Sequence, residues 1–374
     1  MPLYTHDRCV VGPTAFFGRQ LLLRNVGKGL ELGRSFALIG GPKTGRTSVL
    51  AMLIAALNER RVRQPKALRL TPVWVDVASL PSLASATWVP ELWKRVEAAL
   101  TDPYVLGANP VPRLPKNAFD GKKDPWQAFR ELAAEFWHQT TGRSSWSRYV
   151  FIIDNVDELV LRRQYKALHE LGKLLADTGP EAPMGAVFAG GRFLCEYIGG
   201  EDVPMHALRP VFLSSLTDAD AEAMIHLGFP EMTPQDRASI KAGTGCHPYL
   251  LCRLLAELER LGSSVELDSA LQAVRGDAQN VFNRTWQELD LNRQVAVRGM
   301  YAAPEHALMQ FLIADGGQVA IRRAQKELGI KPLKELGEML HYEGIVEQSL
   351  THDQPVLSAG CGLWNSWYTD RVNR

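Results

Sequence analysis

Gly40, Gly45, Arg46 and Thr47 stand at the spacing G-x-x-x-x-G, then a base, then a hydroxyl. Glycines so placed let the backbone curl until successive N–H groups face inward, the geometry that receives phosphate oxygens. A helix beginning at about Gly45 adds its positive dipole end to the same point. In this chemistry the cation at 46 reaches the outer phosphates and the hydroxyl of Thr47 ligates magnesium. Gly41, Lys43, Thr44 and Ser48 complete the candidate nucleotide-binding stretch. The pattern asks for lysine where Arg46 stands. Arginine keeps the charge, but its wider planar fork is not interchangeable with an ammonium at a close-fitted site. The bland alternative is a Gly-rich strand-to-helix turn that binds nothing.

The flanking residues are those such a loop needs. Phe36–Ile39 reads as a buried strand, and Ser48–Asn58 reads as a helix through Val49, Leu50, Leu53 and Leu57. Further on, Tyr149–Asp154 is an apolar run ending in an acid, which predicts a central strand with a carboxylate at its C-terminal end. Ligands of open α/β sheets sit at that end. Asp154 is therefore the second magnesium candidate beside Thr47. Asn155, Asp157 and Glu158 lie on the turn that follows.

Thr71–Val77, Gly185–Ala189 and Arg209–Leu213 read as further strands, with Arg192 placed after the second of these as a nucleotide-sensing candidate. Helices are expected over Leu21–Leu30, Pro90–Leu100, Trp126–Thr141 and Leu159–Asp177. Strands alternating with helices from about 36 to 213 predict an α/β fold, a parallel sheet with helices on both faces. Residues 102–125 carry five prolines and read as a long irregular loop or insertion.

The remainder is helical. Thr217–Leu227 opens with Thr217 as N-cap and acids in its first turn, and Thr233–Gly243 follows. Gly245-Cys-His-Pro-Tyr249 then leads into an apolar helix. Beyond Pro304, three short helices and two short strands at Ile345–Glu347 and Pro355–Leu357 follow the winged-helix order. The helix-turn-helix pair would lie at Ala320–Leu328 and Lys331–Leu340, but its second helix is nearly balanced in charge, which suits packing or a protein partner better than DNA. DNA contact through 320–358 is the less favoured reading. A last helix, Leu363–Val372, is expected to dock Trp364, Trp367 and Tyr368 on the preceding domain.

The 374 residues allow two or three domains, and the net charge of +1 gives no global pull towards nucleic acid or anionic membrane. Five scattered cysteines without metal-ligand spacing, no signal-peptide pattern and no membrane-length apolar run lead to the expectation of a reduced, cytoplasmic chain with no membrane contact.

Taken together, the order of pieces resembles the AAA-like STAND group of P-loop ATPases, of the archaeal-ATPase or MalT-like type. Phe17-Gly18-Arg19 is similar to that group's aromatic–Gly–Arg motif, and Gly40–Ser48 to its Gly-Gly-x-x-x-Gly-Lys-Thr-Ser loop. Asp154-Asn-Val-Asp-Glu-Leu is similar to its Asp-Glu-x-Asp-x-Leu strand end, and Gly245–Leu251 to its Gly-Gly-His-Pro-Tyr-Leu lid motif. The resemblance implies an N-terminal arm (1–15), a P-loop NTPase core (16–215), a helical lid (216–290) and a winged-helix domain with a C-terminal helix (291–374). It implies ATP or ADP with Mg2+ as cofactors, with Phe17, Gly18, Arg19 and Pro248 near the adenine. It further implies a nucleotide switch in bacterial defence or signalling that oligomerises or releases an effector. No sensor repeats or effector domain are recognisable, so a separately encoded effector or sensor protein is the expected partner, with homo-oligomerisation as a further expectation. Asn155 stands where the group has the acid that orients or activates the attacking water; an amide can hydrogen-bond water but cannot accept its proton, and Asp157 and Glu158, further along the turn, are the candidates to substitute for it. With Arg46, this predicts that binding survives while hydrolysis is slow or absent. The rival expectations are a DNA-binding ATPase and a pseudo-ATPase scaffold.

Overall fold

A computed structural model of the protein describes Tyr4 and residues 15–63, 69–80, 82, 84–101, 119, 124–141, 147–175, 184–198, 208–262, 267–288, 346–351, 354–359 and 362–372. These fall into two compact units. One comprises residues 19–39 and 46–211, the other residues 1–18, 40–45 and 212–374.

The first unit is built on a sheet of strands β1 (Ser35–Gly40), β2 (Arg69–Asp76), β3 (Ser147–Asp154), β4 (Met184–Gly190) and β5 (Leu208–Leu213). Their spatial order is β2-β3-β4-β1-β5. The pairs β2–β3, β3–β4 and β4–β1 are all parallel. β1 and β4 are buried at every position, which explains why their sequences are unbroken apolar or small runs rather than alternating ones. Because the strands run the same way, Gly40, Asp76, Asp154 and Gly190 all lie at one edge of the sheet.

Helices α1 (Gln20–Glu31), α2 (Arg46–Arg63), α3 (Ser85–Thr101), α4 (Pro125–Thr141), α5 (Asp157–Leu161), α6 (Tyr165–Leu174) and α7 (Arg192–Ile198) belong to this unit. The end of α1 is held from below. Buried Arg148 on β3 donates from Nη1 to the Leu30 carbonyl at 2.6 Å and to that of Glu31 at 3.3 Å, supplying donors to carbonyls the helix leaves open. Trp88, Trp93, Trp126, Phe129 and Phe151 form an edge-to-face aromatic core under α3 and α4.

Three expectations need correction. Leu159–Asp177 is not one helix: Arg163 adopts the left-handed region at φ 54°, and α5 ends before α6 begins. The helix expected from Pro90 starts at Ser85 and carries Pro90 inside it, a residue that leaves the Ala86 carbonyl without its helical donor. The Gly190-Gly191-Arg192 turn leads straight into α7, a helix not foreseen.

The second unit holds α8 (Asp218–Gly228), α9 (Pro234–Thr244), α10 (Pro248–Leu261) and α11 (Leu267–Glu288). Thr217 and Thr233 cap α8 and α9, each accepting from the backbone N–H three residues on. The same side chains donate to Asp220 and Asp236. Gly245 closes α9 in the left-handed conformation, and Pro248 occupies the first turn of α10. Leu250, Leu251, Leu254, Leu255 and Leu258 of α10 form a core with Ile225, Val274 and Phe282. Tyr4 is buried there too, donating its hydroxyl to the Met224 carbonyl at 2.8 Å.

Strands β6 (Val346–Thr351) and β7 (Gln354–Ala359) pair antiparallel. β7 contains the strand expected at Pro355–Leu357, and β6 overlaps the one expected at Ile345–Glu347, whose first residue lies outside the described residues. The helices expected over 304–342, with the helix-turn-helix pair, lie outside the described residues, as does most of the proline-rich stretch. The final helix α12 (Gly362–Val372) does dock by its aromatics: Trp364 meets Phe282 edge-on at 5.0 Å, and Trp367 and Tyr368 meet Trp286. Among the described residues no helix is long and apolar enough to cross a membrane.

Candidate nucleotide site

Residues 40–45 connect β1 to α2, and their backbone turns through two left-handed residues, Lys43 at φ 61° and Gly45 at φ 89°. Gly45 takes this conformation without penalty. Lys43 bears a cost of roughly 1–2 kcal/mol for it. Thr44 is buried and donates its hydroxyl to the Gly41 carbonyl at 2.9 Å, so it tightens the loop from within. Lys43 Nζ lies 5.3 Å from the centre of the Tyr249 ring, one residue after Pro248. Phe17 packs on the same helical core as Tyr249, and Gly18 lies so near Asp220 that a Cβ there would meet its carboxylate at 2.8 Å.

In the sheet unit, α2 starts at Arg46 and presents Arg46 and Thr47 in its first turn, with Ser48 next. The Thr47 hydroxyl donates to Asp154 Oδ2 at 2.7 Å. Two residues 107 apart in sequence thus place a hydroxyl and a carboxylate oxygen together, at an aspartate only 2% exposed. Both are hard oxygen donors, the class magnesium takes. Among the described residues no three His, Cys, Asp or Glu side chains gather.

Arg46 sits at a helix N-terminus, where its charge opposes the dipole. Its Nη1 lies 3.5 Å from Asp157 Oδ2, both side chains being less than a fifth exposed. Asp157 also accepts from the backbone N–H of Gly191 and, at 2.9 Å, of Leu194. It therefore joins the start of α2, the turn after β3 and the start of α7 through one carboxylate. Gly190 has room for no side chain here, since a Cβ would meet Leu194 at 2.7 Å.

Asn155 is left-handed at φ 57°, a conformation asparagine tolerates. Its backbone N–H donates to Asp154 Oδ1 at 2.9 Å, and its side-chain amide donates to Asp76 Oδ1 at 2.9 Å. Glu158 points elsewhere and pairs with Arg162 at 3.0 Å. Arg192 opens α7 with its guanidinium over the Phe193 ring at 5.4 Å. Arg19 is a left-handed N-cap of α1 that makes no side-chain capping bond.

Thus Arg46, Thr47, Asp154, Asn155 and Asp157 meet at one sheet edge, while Glu158 is turned to its own helix. Two contributors were not foreseen. Asp76 ends an apolar strand as Asp154 does, so the same signal marks it. Tyr249 follows the His-Pro pair and carries no signal of its own.

No family model matches the chain, and no curated protein matches it in sequence. Solved structures do. A Walker-type ATPase of Pyrococcus abyssi superposes with a TM-score of 0.62 at 15% identity, over 98% of this chain and 99% of that one. The Aeropyrum pernix ORC2 protein, solved as ADPNP–ADP complexes, gives a TM-score of 0.54 at 11% identity, over 100% of this chain and 98% of that one. Its ADP form gives 0.53 at 10% identity, covering 99% and 96%. At such identities the likeness is one of fold, and the fold of this chain is that of the P-loop ATPases.

Proposed function

We propose that this protein is a nucleotide-binding switch that takes ATP or ADP with Mg2+ on Gly40–Ser48 and turns nucleotide over slowly. The observation that carries the reading is the 2.7 Å contact between Thr47 and Asp154, a hydroxyl and a carboxylate from two distant motifs. Magnesium would be held by these two oxygens, with Arg46 and the loop N–H groups facing phosphate. The ion would supply charge neutralisation at the outer phosphates.

Slow turnover is supported by the state of the acids. Asp157 is engaged by two backbone N–H groups and Arg46, and Glu158 by Arg162. Asn155 acts as a donor and cannot take a proton. Action through a separate protein partner, oligomerisation, a cytoplasmic setting and a part in bacterial defence or signalling are carried over from the STAND resemblance. So is the winged helix as a packing or partner module.

Calorimetric titration with ADP and ATP, with and without magnesium, tests the reading beside an Arg46→Ala control. Nucleotide content of the purified protein is measured after denaturation. Magnesium-assisted binding that weakens at least tenfold in the control is the expected result. No binding and no co-purified nucleotide would leave a scaffold that keeps the fold without the ligand.

A further inference from the structure

The acid missing at 155 has a neighbour. Asp76 ends β2 directly opposite Asp154 in the β2–β3 register. Its Oδ1 accepts the Asn155 amide at 2.9 Å and the Ala78 backbone N–H at 3.0 Å. Among the described residues, its Oδ2 receives no hydrogen bond. A continuous chain of bonds results: Thr47 to Asp154 Oδ2, the Asn155 backbone to Asp154 Oδ1, and the Asn155 side chain to Asp76. The carboxylate at its end is half-buried and anchored through its Oδ1.

On the nucleotide-binding reading above, we propose that Asp76 is the proton acceptor for hydrolysis, supplied from the strand beside the one that carries Asp154. Water oxygen bonds to the γ-phosphorus of the nucleotide. The bond from that phosphorus to the β,γ-bridging oxygen breaks, and the diphosphate leaves with the electron pair. The water proton passes to Asp76 Oδ2 and then to solvent. Asn155 contributes what an amide can: it donates to Asp76 Oδ1 and holds the carboxylate in place. The two residues divide between them the tasks of a single glutamate.

Asp76→Asn is the direct test, because the amide oxygen still accepts from Asn155 while the proton site is lost. Three quantities are measured on the full chain: ATP and ADP affinity by calorimetry, single-turnover hydrolysis, and the nucleotide carried through purification. The expected result is affinity within threefold of wild type, hydrolysis slower by about 100-fold, and co-purified nucleotide shifted from ADP towards ATP. Should Asp76→Asn fail to fold, Asn155→Gly is the second variant, which keeps the left-handed backbone and removes the amide, and it is expected to lower the hydrolysis rate about tenfold with ATP affinity kept. Wild-type binding with unchanged hydrolysis in the variant overturns the role of Asp76 and leaves the switch reading standing. Wild-type binding with no hydrolysis at all does the same. Absence of binding in the wild type removes both.

Discussion

The edge of the sheet and the helical unit are stabilised in opposite ways. Around α10, α11 and α12 the chain buries leucines and indoles packed at tilted angles, so the buried area matters and no single atom is decisive. At the ends of β2 and β3 the side chains are small and polar, and Asp76, Asp154 and Asn155 are tied together by single hydrogen bonds. Volume lost in the first region should cost stability broadly. One oxygen changed in the second should alter ligand chemistry and leave the fold nearly as it was.

The largest effect expected lies in the helical unit. Trp364 is 1% exposed, and Trp364→Ala should destabilise that unit by about 3–5 kcal/mol. Denaturant unfolding followed by far-ultraviolet dichroism checks this, and a midpoint that does not move would break the contrast. Asp154→Asn sharpens it from the other side. The variant should lose about 2 kcal/mol of magnesium-dependent ADP affinity, a factor of about 30, with little change in melting temperature. A variant that unfolds instead would show that the edge is structural.

Gly228→Ala comes next. An added Cβ would meet the Tyr4 hydroxyl at 2.4 Å, so the methyl must push Tyr4 out of the core or move α8. A destabilisation of about 1–3 kcal/mol is expected. The ring carbons Cε2 and Cζ of Tyr4 would lie at 2.7 and 2.9 Å as well, so Tyr4→Phe in the same background should recover only part of the loss. The smallest effect at neutral pH concerns Glu257. Hydrogen bonds from Arg260 and Arg253 hold its carboxyl down at about 2, against an ordinary 4.5. A depressed carboxylate contributes stability in full above its unfolded value. That contribution is lost as pH falls from about 4.5 towards 2. Glu257→Gln should therefore be less stable than wild type at pH 7, with the gap narrowing through that window in an acid titration of unfolding free energy.

Much of the fold was legible because buried parallel strands leave unbroken apolar runs. Phe36–Ile39, Tyr149–Asp154 and Gly185–Ala189 each fall inside the strand observed. The helix caps at Thr217 and Thr233 were equally plain, since a hydroxyl followed three residues on by an acid has few other uses. What stayed hidden was set by backbone choices that side-chain types do not announce. Arg163 enters the left-handed region without being glycine, so the break between α5 and α6 left no mark. Pro90 reads as a helix start, yet the surrounding packing of Trp88 and Trp93 holds it inside one. At the site, the Thr47–Asp154 pairing followed from two motifs of known spacing. The Asn155–Asp76 bond joins residues 79 apart on adjacent strands, and strand order is not written in either segment.

The indoles that dock α12 also serve as a built-in optical gauge. Trp364 and Trp367 lie 4.8 Å apart, and Trp286 is 6.1 Å from Trp367. Rings this close couple their excited states, giving paired bands of opposite sign in near-ultraviolet dichroism and mutual quenching of emission. The spectrum of the protein minus that of Trp286→Phe isolates the pair that crosses between α11 and α12 from the tryptophans of the sheet unit. Docking of the C-terminal helix can then be followed during unfolding and refolding in stopped flow, without a label.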